Sequence, residues 1–160
     1  MELKFRVAAR IAKPVHTVFE AVADPRQLSH YFTTGGAEGR LETGATVTWD
    51  FHDFPGAFPV HVIEVVPDER IVLEWQANEG EAPNVDGGGM TGSDYRTRVT
   101  MAFKGLDDGR TLVEIAEEGW RENQGALDAS YGNCQGWSQM LCALKAWVEH
   151  GINLRDGMYV

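Results

Sequence analysis

Leu3, Phe5, Val7, Ala9 and Ile11 alternate with Lys4, Arg6, Ala8 and Arg10, the period of a strand with one buried face. Pro14 suits a first helical turn, and Val15, Val18, Phe19 and Val22 follow at helical spacing. Asp24-Pro25 ends that helix, and a shorter one carries Leu28, Tyr31 and Phe32. From residue 38 to 119 the period becomes two. Val47, Trp49 and Phe51 alternate with polar residues, Pro55-Gly56 predicts a turn, and Val60–Val66 returns. Pro67-Asp68 predicts the next turn, after which Ile71, Leu73, Trp75 and Ala77 share one face. Tyr95, Thr97, Val99, Met101 and Phe103 share another, and Asp108-Gly109 leads into a returning strand over 112–117. About six short strands joined by tight turns imply an antiparallel sheet, because parallel pairs need long crossovers.

The chain then turns helical from about 127 to 150. Ser130, Asn133, Trp137, Met140, Leu141, Leu144 and Val148 fall on one face, and Gly151 fits the left-handed position that closes a helix. A helix this long, roughly 36 Å at ~1.5 Å per residue, crosses a small domain. It can cover the apolar face of the sheet. The expected architecture is α+β: one antiparallel sheet under a long C-terminal helix, with two short helices after the first strand.

Length and charge narrow the function. The 160 residues, 43% hydrophobic and 24% charged, suit one domain over 1–160 that needs no metal or disulfide staple. No apolar run approaches the ~20 residues that span a bilayer, and residues 1–14 lack a signal-peptide core. Net charge is −10. Residues 41–94 carry eleven acidic side chains against one basic, which repels phosphate backbones and anionic headgroups. Neither nucleic acid nor membrane is an expected partner. Cys134 and Cys142 stand eight residues apart on the long helix, roughly 12 Å at helical rise, too far for a disulfide. Reduced thiols suit the cytoplasm. The five histidines are scattered singly, so no metal or other cofactor is expected.

Ile11-Ala12-Lys13-Pro14, Val18-Phe19-Glu20-Ala21, Asp24-Pro25, Leu28 and Tyr31-Phe32 form an opening pattern, and Gly136-Trp137, Leu141, Leu144-Lys145, Glu149 and Gly151 a closing one. With Glu118-Gly119-Trp120 between them, they make the chain similar to the SRPBCC superfamily. Within it, the chain resembles the homologues of the activator of the ninety-kilodalton heat-shock-protein ATPase. The resemblance covers nearly the whole chain. It implies the START-like helix-grip fold, in which a curved sheet wraps a long C-terminal helix. The chain departs from the family at 78–94, which is longer and richer in glycine, and it lacks the separate N-terminal domain of the eukaryotic cochaperone.

A helix over a curved sheet can enclose a hydrophobic cavity. Trp49, Phe51, Trp75, Tyr95, Met101, Trp137 and Met140 are expected to line it, with Asn133 and Ser130 as polar groups. Asn133 is the most telling, since an unpaired amide on an apolar helix face costs about 1–3 kcal/mol. A bond to a strand carbonyl or buried water explains it equally. Gly132 and Gly136 admit either a ligand or backbone beside the helix, and the glycine-rich 79–94 segment reads as a lid or a plain hairpin tip. No residues form a catalytic constellation. Glu117 can point inward, with an arginine as its expected partner, and His52 and His61 alternate outward. The leading expectation is therefore a small apolar ligand bound in the cavity. Relatives in the superfamily imply two alternatives: a cavity enzyme of the cyclase or hydrolase kind, with Glu117, Tyr95 or His61 as its titratable group, and a cochaperone-like protein whose acidic middle third meets a chaperone. An exposed Trp147 and the tail Gly157–Val160 suit a homodimer contact; a tail packed on its own domain explains them as well.

Overall fold

The computed structural model describes residues 1–79 and 94–158. Seven strands form one antiparallel sheet in the order β1-β7-β6-β5-β4-β3-β2. They are β1 (Leu3–Ile11), β2 (Gly36–Glu38), β3 (Thr46–Phe51), β4 (Phe54–Val66), β5 (Arg70–Gln76), β6 (Arg96–Gly105) and β7 (Thr111–Trp120). Two short helices, α1 (Val15–Ala23) and α2 (Pro25–Tyr31), follow β1, and α3 (Gln124–His150) ends the elements. The first and last strands pair along one edge, with Val7 opposite Ile115. The 27 residues of α3 run about 40 Å at helical rise, packed chiefly on β1 and reaching β7, α1 and α2. This is the helix-grip architecture. The Cys134 and Cys142 thiols are free.

Local chemistry accounts for the differences from the expected boundaries. The helix starts at Gln124 because the Asn123 side chain accepts the Ala126 N–H at 2.8 Å, the usual way of satisfying an orphan donor of the first turn. Gly151 closes it in the left-handed conformation, φ 67°, donating to the Trp147 carbonyl at 2.8 Å. The turn expected at Pro55-Gly56 lies instead at residues 52–53, so β4 begins earlier and carries Phe58. The short β2, paired with β3, adds a seventh strand. Trp147 is half-buried rather than exposed, its ring stacked on His30 at 4.7 Å. Tyr159 and Val160, and the glycines of the segment read as a lid or a hairpin tip, lie outside the described residues.

One irregularity positions the site. Along β7, Thr111, Val113, Ile115 and Glu117 are buried in strict alternation, then two residues point outward before Trp120 turns in again. Opposite them, Leu3 pairs with Trp120 and Phe5 with Glu117, a bulge that admits one extra residue on β7. Gly119 supplies it at φ +97°, with the Arg96 carbonyl 3.6 Å from where a Cβ would stand. Both Glu117 and Trp120 can therefore face inward. Gly119→Ala is expected to lower the unfolding free energy by about 1–3 kcal/mol through backbone strain. A urea midpoint unchanged from wild type would show that the bulge relaxes without cost.

Candidate functional site

Glu117 is fully buried. Its Oε1 accepts hydrogen bonds from Trp75 Nε1 at 2.7 Å, Thr97 Oγ1 at 2.8 Å and Asn133 Nδ2 at 3.0 Å. Its Oε2 accepts from Trp137 Nε1 and Asn133 Nδ2, both at 3.1 Å. The donors come from β5, β6 and α3, so this carboxyl ties three elements to β7. All are neutral groups, and the arginine expected beside Glu117 is not among them. Indole nitrogens can only donate, so the arrangement suits an ionised carboxylate. Burial pushes the carboxyl above its usual range, while the hydrogen bonds from Trp75, Thr97, Asn133 and Trp137 pull the other way.

With their N–H edges turned to Glu117, the two indoles join a closed circuit of rings. Trp75 and Trp137 stand 5.3 Å apart between centroids, and Phe32 stacks on Trp137 at 5.4 Å. Phe51 meets Phe32 at 5.0 Å, and Phe58 closes the circuit with 5.9 Å to both Phe51 and Trp75. These spacings fall within the 4.5–7 Å range of favourable aromatic pairs. All five rings line a cavity of about 600 Å³ between the sheet and α3, within the ~300–1,000 Å³ typical of small-molecule sites. Asn133 faces the same space, as do Asp53 and Arg155. Arg155 itself is buried, donates to the Phe32 carbonyl at 2.7 Å, and lies 5.2 Å from the Phe32 ring.

Two glycines inside α3 are part of this opening. Gly132 and Gly136 both line the cavity, and a Cβ at either would meet no described atom within 4 Å. They keep the helix surface low where it borders the cavity. The close backbone contact that sequence allows for them is absent among the described residues.

Of the nine residues expected around a cavity, Phe51, Trp75, Asn133 and Trp137 line this one. Trp49, Met101 and Met140 share the inward faces but lie deeper, fully buried in the main core. Trp49 backs the cage, meeting Phe32 and Trp75 edge to face. Tyr95 belongs to a separate cluster with Ala77 and Trp120. Its hydroxyl donates to Glu79 and accepts the Arg121 N–H at 3.1 Å. Ser130 turns back to its own helix, donating to the Leu127 carbonyl at 2.7 Å. The Asn133 amide bonds to a carboxylate rather than to a strand carbonyl. His61 Nδ1 lies 3.3 Å from Thr46 Oγ1 on the outer face, and His52 is exposed. Phe32, Phe58 and Arg155 also line the cavity, although none was expected there from the sequence. Among the described residues, no group of three His, Cys, Asp or Glu side chains could hold a metal, and no helix is long and apolar enough to cross a membrane.

The sequence matches the family described as Activator of Hsp90 ATPase homolog 1-like protein over residues 12–149. The chain belongs to that family. No curated protein matches it significantly. Solved structures similar to this member of the activator-homologue family include the protein SSP2350 from Staphylococcus saprophyticus, with 22% identity, 96% of each chain covered and a TM-score of 0.73. The protein MLL2253 from Mesorhizobium loti has 18% identity, with 94% of this chain and 99% of that one covered and a TM-score of 0.73. The Aha1 dimer from Colwellia psychrerythraea has 17% identity, 93% and 98% coverage and a TM-score of 0.69. At these identities the likeness is one of fold. The activator-homologue family thus accounts for the scaffold, while the cage and its carboxylate are read from this chain's own residues.

Proposed function

We propose that this protein binds a small, largely apolar molecule in the cavity between the sheet and α3. The observation that carries this reading is the five-ring wall around about 600 Å³, with the wall's polar edges gathered on one buried carboxylate. Ligand sites combine apolar walls with a few placed polar groups, and the family's helix-grip scaffold supports the same role. Glu117 lies behind the wall with both oxygens occupied, so it holds the wall rather than exchanging protons with a bound molecule. That geometry speaks against the cyclase or hydrolase alternative.

Native mass spectrometry of freshly purified protein, compared with the denatured mass, tests the proposal. The expected result is an adduct lost on denaturation, or one restored by soaking with small apolar compounds. A bare mass, with no compound of a diverse apolar set raising the melting temperature, overturns it. The same spectrum reads oligomeric state. Self-association is a second reading, supported by the exposed Ile152, Leu154 and Met158 near the chain's end and by the relative described as a dimer.

A further inference from the structure

The cavity's charges are unevenly placed. Glu117 is buried with no cation beside it among the described residues, and its contacts are all with neutral donors. Two of those donors are the indoles of Trp75 and Trp137, which line the cavity. An N–H bound to a carboxylate shifts electron density into its ring, and the carboxylate's own field extends through a wall of low polarizability. The faces of Trp75 and Trp137 are therefore more negative than those of ordinary indoles. Asp53 adds a second carboxylate at the cavity. Arg155 is the opposing charge, and its guanidinium lies at the other side of the circuit, 5.2 Å from the Phe32 ring and 5.7 Å from Phe51. The cage already holds one cation against its phenylalanine faces and has a negative field behind its tryptophan faces.

We infer that the ligand is a lipophilic organic cation, a tertiary or quaternary ammonium with an apolar body, whose charged end sits against Trp75 and Trp137. Aromatic faces attract such cations, most strongly when both are removed from water, and indole is the best of the three rings. The carboxylate behind the indoles adds attraction without touching the ligand. A quaternary ammonium has no N–H to satisfy, so a site whose hydrogen-bonding edges are already engaged suits it. The chain's net charge of −10 draws cations toward the protein before they reach the cavity. This inference rests on the cavity reading above and specifies the class of molecule that the cavity takes.

Benzyltrimethylammonium and neopentylbenzene provide the test. They share one shape and differ in a positive nitrogen against a neutral carbon. Titration of each, followed by tryptophan fluorescence and calorimetry, is expected to give at least tenfold tighter binding of the ammonium. Glu117→Gln should bring the two within about threefold by weakening the ammonium alone. If Glu117→Gln does not fold, Trp75→Phe keeps an aromatic face, removes one N–H link to the carboxylate and should narrow the ratio in the same direction. Equal or tighter binding of neopentylbenzene to the wild-type protein overturns the cation assignment and leaves the cavity reading standing. Saturation by neither compound overturns the cation assignment, and the absence of any apolar ligand in the mass-spectrometric test separately removes the cavity reading.

Discussion

Glu117→Ala is expected to remove about 3–5 kcal/mol of stability, because several buried neutral donors lose one acceptor at once. The substitution leaves two indole N–H groups, the Thr97 hydroxyl and the Asn133 amide without their shared acceptor. An unsatisfied buried donor costs about 1–3 kcal/mol, and water entering from the cavity recovers part of that. Against a total of about 5–15 kcal/mol for a typical domain, the variant should be barely folded at 37 °C. Urea denaturation measures it, and a loss under about 1 kcal/mol would show that the carboxyl is not the centre of the network. The same residue sets a pH dependence. Its folded pKa lies above the unfolded value near 4.5, so the native state keeps the proton where the unfolded chain has released it. Its contribution is then most favourable below pH 4.5 and declines as pH rises through the folded value. Glu20, held low by its hydrogen bond to Arg40, has the opposite dependence. The difference in melting temperature between wild type and Glu117→Gln across pH 4–8 isolates the first from the second. That difference should change steadily with pH, and a flat one would mean that Glu117 titrates no differently when folded.

Gly136→Leu should abolish ligand binding, by a hundredfold or more, while the protein stays folded. The leucine would project from α3 into open space that nothing described occupies, so it fills the cavity without displacing the core. Replacing glycine inside a helix also contributes about 0.8–1 kcal/mol of helix propensity. Gly136→Ala should therefore show the stability gain with binding largely retained. Loss of folding in the leucine variant would mean that the helix surface is closer to other atoms than the geometry indicates. Retained binding would place the ligand elsewhere.

The sheet and the long helix were legible because most elements obey one period over most of their length. The inner face of β6 runs Thr97, Val99, Met101, Phe103 without a break, and α3 keeps one inward face from Ala126 to Leu144, about five turns. Glu117 was visible in the same way, in phase with Val113 and Ile115 on a face otherwise apolar. Its partners were not, since Trp75, Thr97, Asn133 and Trp137 converge only once β5, β6 and α3 are packed. An arginine is the ordinary companion of a buried acid, and nothing in the pattern indicates four neutral donors instead. Phe58 stands in phase with Val60 and Val62, a signal hidden by the turn expected at Pro55-Gly56. Arg155 lies outside any periodic segment, Phe32 was expected only as part of the second short helix, and only tertiary structure brings the tail to the end of α2. Trp49, Met101 and Met140 show the converse limit: alternation identifies the inward face but not the depth, so core and cavity wall look alike.

The aromatic circuit has a fixed half and an exchangeable half. Trp75 and Trp137 are held by hydrogen bonds as well as packing, and changing either leaves a polar group of Glu117 unanswered. The rings of Phe32, Phe51 and Phe58 carry no hydrogen-bonding group and are held by packing, with the Arg155 guanidinium beside Phe32 and Phe51. Substitution among leucine, methionine, tyrosine and phenylalanine at those three positions would reshape the cavity while leaving the hydrogen-bonded skeleton intact. A single scaffold could in this way diversify its choice of ligand by small steps on one wall, with the opposite wall serving as an unchanging reference for orientation.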